Sequence, residues 1–444
     1  MCVPLRSRHY TRECRDRHIT PHIGGNLTQT STAIIQKKKK KKKKKKKERW
    51  IKKRHSIIIE IARRIYGPHV YKKYNVEVKP FPEQGKRPYL ILFNHQTAGD
   101  QFFVGLCMNR PVYYIASEDI FSMGFISKLL RFAVNPIPIK KQTTDPRAVI
   151  NCIRVAREGG TIALAPEGNR TYHGKPVYIK PSIAALAKHL KMPIAFFRIE
   201  GGYGVQPRWS DVVREGKITA GVSRVMEPEE YAELTDEQLC EIINRELAVE
   251  EDRVTGEYHH TAQAEYLERA LYVCPDCGLS ELYSHGDVIE CKRCGRAARH
   301  LPTKELEGIG KPLPFRFVSD WYEYQCKYVN SLDPAEMCET PVYTDEVEYS
   351  EVILYKRKSV ISRKARAALY GNRIEVTTEG GTEVFDFDEV TAVTVLGKNK
   401  LNIYSNDKVY QFKGDKRYCA LKYVNLFYHY RSVKKGDNDE FLGL

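Results

Sequence analysis

In Asn94-His95-Gln96-Thr97-Ala98-Gly99-Asp100 a histidine stands five residues ahead of a carboxylate, and in Glu167-Gly168-Asn169-Arg170 an acid lies close to a guanidinium. An imidazole of ordinary pKa, ~6.5, is largely neutral near pH 7 and can take a proton from a hydroxyl nucleophile. A nearby carboxylate can fix its tautomer and steady the imidazolium that forms. Arg170 and the backbone amides around Gly168 are suitable donors to a phosphate, with Glu167 orienting the arginine. The chemistry these residues offer together is deprotonation of a hydroxyl on a phosphorylated molecule.

The spacing dictates how they meet. Helix positions five apart lie ~140° from each other, so His95 and Asp100 cannot share a face of one helix. His95 is therefore expected in a loop and Asp100 in the first turn of the helix that follows. Tyr89–Phe93 reads as the preceding buried strand, and Thr97-x-x-Asp100 has the form of a capping box opening a helix over Gln101–Met108. A cap with no chemistry would give the same spacing. Gly160–Pro166 reads as another short strand ending in a turn, which sets Glu167–Thr171 at the same rim of an α/β sheet as His95. An ordinary surface turn with a Glu–Arg pair is the structural alternative.

With these residues in view, the sequence resembles the glycerolphosphate acyltransferase superfamily, most closely its 1-acylglycerol-3-phosphate acyltransferase (PlsC-like) branch. Asn94 to Asp100 matches the family's NHx4D motif, and Ala165-Pro166-Glu167-Gly168-Asn169-Arg170-Thr171 is similar to its FPEGTRS motif, over a resemblance spanning roughly residues 55 to 225. Ala165 stands for the usual phenylalanine and Asn169 for the usual threonine. Val134–Lys141 lies where the family has a strand ending in an acceptor-binding arginine, and lysines, Lys140 and Lys141, occupy that end. Tyr178–Ala187 and Met192–Phe197 are similar to the family's last conserved helix and strand.

The resemblance implies a mixed α/β sheet wrapped by helices, with His95 as base and Asp100 holding its ring. Asn94, Lys140, Lys141, Glu167, Gly168, Asn169 and Arg170 would bind substrate. An acyl carrier protein or coenzyme A thioester would be the donor, a lysophospholipid the acceptor and phosphatidic acid the product. Acylation of another lysophospholipid or of glycerol 3-phosphate is the alternative. No covalent acyl-enzyme and no catalytic cofactor are implied.

At 444 residues the chain is long enough for two or three domains. Its formal charge of +18 is concentrated before Glu48, where sixteen Lys/Arg, including the eleven lysines Lys37–Lys47, face two acids; the remainder carries +4. This 1–47 stretch has neither apolar periodicity nor a signal-peptide core and is expected to be a disordered basic tail, or a misplaced start. An acyltransferase domain is expected over 48–255, a zinc ribbon over 256–305 and a β-rich domain over 306–444.

No stretch approaches the ~18 consecutive apolar residues of a membrane span, so a lipid substrate would be met at the membrane surface. Trp50–Tyr66 carries Ile58, Ile61, Ala62 and Ile65 at helical spacing with Lys52, Lys53, Arg54, Arg63 and Arg64 largely elsewhere. In Met123–Ala133, Ile126, Leu129, Leu130 and Ala133 form a second stripe. Both have the layout of basic interfacial helices, and packing against the sheet is the alternative. The expected location is cytoplasmic, peripheral on the inner membrane face.

Cys274-x2-Cys277-x13-Cys291-x2-Cys294, with Gly278 and Gly295 after the pairs, has the spacing of a zinc ribbon. Four protein ligands would leave no open coordination position, which makes the metal structural. A nucleic-acid or protein adaptor is the rival function. From Cys274 to His300, however, four basic residues meet four acidic ones, so the module lacks the positive footprint of a nucleic-acid binder.

Beyond it, turn signals separate expected strands at Val352–Lys356, Ile374–Thr378, Glu383–Phe387, Val390–Leu396, Leu401–Tyr404 and Val409–Phe412, with a helix over Lys416–Arg431. This arrangement looks like a pleckstrin-homology or GRAM barrel, which would dock on lipid headgroups or a partner, or serve as a scaffold. An aromatic helix between domains is expected within Pro312–Leu332.

Overall fold

The computed structural model describes residues 49–139, 145–353, 358–436 and 442–443. The basic stretch expected over 1–47 and both Lys140 and Lys141 lie outside them. Seven short strands form the first sheet: β1 (Val76–Val78), β2 (Leu90–Phe93), β3 (Val112–Ser117), β4 (Ile137–Ile139), β5 (Thr161–Leu164), β6 (Ile194–Glu200) and β7 (Ile218–Met226). Their order is β1-β7-β6-β2-β5-β3-β4, with every pairing parallel except β6 with β7.

The central strand β2 is apolar and buried at every position because both faces of this sheet are covered. Successive side chains point to opposite faces. Leu90 and Leu92 enter one core while Ile91 and Phe93 enter another, as Ile194 and Phe196 separate from Ala195 and Phe197. Helices α1 (Lys53–Tyr74) and α2 (Asp100–Cys107) cover the second face; α3 (Phe125–Ala133) stands at its margin, and α4 (Pro146–Arg157), α5 (Ser182–Leu190) and α6 (Asp236–Leu247) cover the first. The first helix runs past the expected end at Tyr66 and through Pro68 to Tyr74. Its last turns bury Val70 and Tyr74, and this packing offsets the hydrogen bond that proline cannot donate.

The cysteine-rich segment folds as a two-strand knuckle, β8 (Val273–Cys274) and β9 (Gly278–Leu279), beside a four-stranded antiparallel sheet. That sheet comprises β10 (Leu282–His285), β11 (Val288–Cys291), β12 (Ala297–His300) and β13 (Leu306–Ile309). The aromatic segment forms α7 (Val318–Asn330), where Trp321 is buried and donates its indole N–H to the Val273 carbonyl at 2.7 Å.

The C-terminal third is an antiparallel meander of seven strands: β14 (Tyr343–Glu351), β15 (Ser359–Leu369), β16 (Arg373–Thr378), β17 (Gly381–Asp386), β18 (Ala392–Leu396), β19 (Lys400–Ser405) and β20 (Lys408–Lys413). The order β17-β16-β15-β14-β20-β19-β18 makes β14 the bridge between the two ends of the meander. Helix α8 (Leu421–Lys435) buries Leu421, Val424 and Phe427, and the Phe427 ring meets Phe387 edge-on at 5.2 Å.

One expectation is corrected here. Val352 and Ile353, placed in a strand by their hydrophobicity, lie outside regular structure after β14, and the two longest strands of the meander flank that segment. Their inward positions are Val347 and Tyr349 among acids, and the small Ala365 and Ala367 among basic residues, so the period-two signal is faint.

Residues 50–444 form one compact unit. Its largest core runs from Tyr172 and Trp209 through the cysteine-rich segment and α7 to the C-terminal meander and α8.

Candidate active site

Parallel pairing of β2 with β5, with Leu92 opposite Leu164, brings the chain out of both strands at the same sheet edge. His95 follows the first strand and Glu167 the second, so the two motifs meet as expected. Two reciprocal hydrogen bonds join their loops: the His95 backbone N–H donates to Glu167 Oε1 at 3.0 Å, and the Thr171 N–H donates to the His95 carbonyl at 3.2 Å.

Asp100 is fully buried, and His95 is about a quarter exposed. The His95 Nδ1 lies 2.7 Å from Asp100 Oδ2. The same carboxylate accepts the Gln96 N–H at 2.7 Å, the Thr97 N–H at 2.9 Å and the Thr97 hydroxyl at 2.7 Å. Half of the expected capping box is thus present: Asp100 receives Thr97, while the threonine hydroxyl accepts the Gly99 N–H rather than one deeper in the helix. The carboxylate that receives the cap is also the one beside the His95 ring. Since Asp100 accepts from Nδ1, the ring proton sits there and Nε2 keeps its lone pair.

His95 lines an apolar cavity of about 1010 Å³ whose wall also includes Ile59, Phe102, Leu130, Leu164 and Leu186. Glu167, Gly168 and Asn169 reach that wall. Around it the surface is unusually apolar. Ile57, Ile61 and Ile65 project from α1, and Phe125, Ile126, Leu129 and Phe132 from α3, each half-exposed or more. Arg54 ties the two helices, donating to the Phe132 carbonyl at 2.9 Å while stacking 4.2 Å over its ring. Of the residues expected in these stripes, Ile61, Ile65, Ile126 and Leu129 are on the exposed face, whereas Leu130 turns into the cavity. No helix among the described residues is long and apolar enough to cross a membrane.

Three expected roles change. Asn94 is buried, and its amide exchanges two 2.8 Å hydrogen bonds with the backbone of Ile199, so it pins β2 to β6 rather than facing a substrate. Glu167 holds the His95 backbone instead of orienting Arg170. The Gly168 N–H is committed to the Ala165 carbonyl at 3.0 Å, in a turn that needs the glycine's φ of +69°. Burial pushes the Glu167 carboxyl up to about 8; the His95 N–H opposes this, and the Asp100 charge adds to it.

Arg170 lies outside the cavity wall, and its Nη1 is buried with no hydrogen-bond partner among the described residues. Burial, and next the neighbouring Arg208, hold its pKa down at about 10. Arg208, which no motif marked, donates to the Arg170 carbonyl at 3.0 Å.

The four sulfurs of Cys274, Cys277, Cys291 and Cys294 lie within 4.8 Å of one another, with Cys274 and Cys294 3.7 Å apart. Tetrahedral bonds of ~2.3 Å require sulfurs ~3.8 Å apart, so the cluster fits a metal ion held by four thiolates. Gly278 and Gly295 turn the two knuckles at φ +74° and +71°, and a Cβ on Gly278 would stand 2.0 Å from the Tyr328 hydroxyl.

Comparison with known proteins places the first motif-bearing region. Residues 67–199 match the family model described as Acyltransferase. These residues are an acyltransferase domain. The region is 22% identical over 185 residues to a chloroplastic 1-acyl-sn-glycerol-3-phosphate acyltransferase, BAT2, of Brassica napus, covering 40% of this chain and 51% of that protein. It is 19% identical over 193 residues to the 1-acyl-sn-glycerol-3-phosphate acyltransferase of Bacillus subtilis, covering 42% of this chain and 90% of that one. The chain thus spans about half of the first relative and most of the second. Among solved structures, the 1-acyl-sn-glycerophosphate (LPA) acyltransferase PlsC of Thermotoga maritima aligns with a TM-score of 0.33 at 17% identity, over 44% of this chain and 91% of that one. The acyltransferase domain holds both motifs and most of the cavity wall.

Proposed function

We propose that the protein is an O-acyltransferase that moves a fatty acyl group from an acyl carrier protein or coenzyme A thioester to the free hydroxyl of 1-acylglycerol 3-phosphate, giving phosphatidic acid. The observation that carries this reading is a buried carboxylate 2.7 Å from His95 Nδ1 at the wall of an apolar cavity of about 1010 Å³. The Nε2 lone pair takes the hydroxyl proton as the oxygen attacks the thioester carbonyl. The tetrahedral intermediate then expels the thiolate, which recovers the proton from the imidazolium. Asp100 keeps the ring in one tautomer throughout and stabilises its charged form. The apolar cavity suits an acyl chain, and Arg170, with an unspent buried donor, suits the acceptor phosphate.

Work at a membrane surface is part of the proposal. The exposed stripes of α1 and α3 support insertion of apolar side chains beside the cavity, and Lys53, Arg64 and Arg131 support attraction to anionic headgroups. Zinc is the metal proposed for the four thiolates, in a purely structural role. Reduced thiols favour the cytoplasmic face. The strand order of the meander, with its closing helix, supports the pleckstrin-homology or GRAM comparison.

The test is transfer of labelled acyl groups from acyl-CoA and acyl carrier protein to lysophosphatidic acid in vesicles, with the intact protein beside folded His95→Ala. A loss of about 10²–10⁴-fold in the variant is expected. Equal rates would remove His95 as base, and no transfer by either protein from either donor would reject the reading.

A further inference from the structure

Arg208 is 2% exposed, and among the described residues its guanidinium donates to backbone carbonyls drawn from two distant parts of the chain. Nη1 donates to Arg170 at 3.0 Å, Nη2 to Val395 at 3.2 Å and Nε to Gly397 at 3.3 Å. The plane stacks 4.3 Å over Tyr172. The last two carbonyls belong to β18 and the turn that leaves it, so one side chain joins the Glu167–Arg170 loop to the C-terminal meander. Two residues earlier, Gln206 Oε1 accepts the Ala98 N–H of the histidine motif at 3.2 Å. The segment from Gln206 to Arg208 therefore touches both catalytic loops and the meander.

The charge arrangement is unusual. No carboxylate pairs with Arg208 among the described residues, and the adjacent Arg170 keeps a buried Nη1 with no partner. The same turn adds Lys398, whose Nζ lies 2.8 Å from Asp211 Oδ1, and that carboxylate also receives Arg269 at 2.8 Å. Asp211 thus answers two cations, Lys398 and Arg269, while Arg170 stands near enough to Lys398 to act on it as a like charge and has Asp100 as its nearby acid. Buried charges without partners are costly, and an anion placed at Arg170 would offset that cost.

We infer that the acceptor's anionic site extends beyond the acyltransferase domain: Arg208 is the positioning residue that holds Arg170 against the meander, and Lys398 adds to the positive field that selects a phosphorylated acceptor. This rests on the phosphate-acceptor reading above. A lysine at 208 keeps the charge and loses the three-way fork, so the two contributions can be separated. The selectivity belongs to geometry and charge together, and the C-terminal third becomes part of the enzyme's substrate recognition.

The experiment compares kcat/KM for lysophosphatidic acid with that for uncharged 1-monoacylglycerol, using one acyl-CoA, in the full-length wild type, Arg208→Lys, Arg208→Gln and Lys398→Ala. A merely structural defect lowers both acceptors together and leaves their ratio unchanged. A fall in the ratio of about tenfold is expected for Arg208→Lys, expressed mainly in the acceptor KM, with a larger fall for Arg208→Gln. Lys398→Ala, which removes one ion pair with Asp211, should lower the ratio severalfold even if both Arg208 variants fail to fold. Ratios within twofold of wild type in every folded variant would overturn the inference while leaving the proposed reaction intact. A wild type with no preference for the phosphorylated acceptor would overturn the acceptor assignment and this inference with it.

Discussion

A carboxyl group at position 167 sits where burial holds its pKa near 8, and the bond it receives from His95 is a structural one. Folding therefore favours its protonated form. The stabilising contribution is fully present below the unfolded value of about 4.5 and is lost as pH rises through about 8. Glu167→Gln keeps an oxygen for the His95 N–H and carries no charge at any pH. Its melting temperature should fall less than that of the wild type between about pH 5 and about pH 8. Parallel melting curves in the two proteins would show that Glu167 does not titrate in this range. The meeting of His95 with Asp100 was legible at this scale because a spacing of five fits a loop followed by the first turn of a helix. The commitments of Asn94 and Glu167 were not, since each depends on a backbone group supplied from far along the chain: Ile199 for Asn94 and His95 for Glu167. Arg208 was invisible for the same reason, because its partners are 38, 187 and 189 residues away.

Elements were legible where their side chains repeat cleanly. Strands β2 and β5 read as buried runs, β6 was placed through the family resemblance, and five of the meander's strands were framed by turn residues. The pair β14 and β15 was hidden by charges on its outer face and alanines on its inner one. Among the helices, α3 offers a direct test of membrane contact. Phe125 is 75% exposed and Ile61 on α1 is 52% exposed, so Phe125→Asp and Ile61→Asp should leave the melting temperature unchanged. Co-sedimentation with anionic vesicles should weaken by about tenfold or more for each, given that burying a large apolar side chain contributes ~1.5–3 kcal/mol. Unaltered vesicle binding in the double variant would reject the stripe as the docking face. In the cysteine-rich segment, Cys274→Ser or a strong chelator should remove one metal ion per chain and lower the melting temperature by several degrees, because β8 and α7 share the Val273–Trp321 hydrogen bond and one core. Metal analysis alongside calorimetry checks both halves of that expectation.

Over the whole molecule, the three expected regions turn out to share packing. The core that contains the cysteine-rich segment and the meander also takes in Tyr172 and Trp209 from the acyltransferase side, and the Trp209 carbonyl accepts Arg269 at 2.7 Å. A fragment ending near residue 255 would expose the fully buried Trp209 and strip Arg208 of two acceptors. It should therefore be insoluble or lack a cooperative melt, whereas residues 49–444 should unfold with the two halves linked. A soluble, cooperatively melting fragment would contradict this coupling. No sequence pattern announced it, since composition and turn signals mark where local structure changes and carry no record of which distant surfaces meet. The Arg208 fork has an evolutionary corollary. A recombination event that exchanged the C-terminal third for that of an unrelated protein would bring no carbonyls to positions equivalent to Val395 and Gly397, and would leave a stranded cation behind Arg170. Such chimeras are expected to fold poorly, so the region carrying Arg208 and the C-terminal meander are expected to travel together through descent.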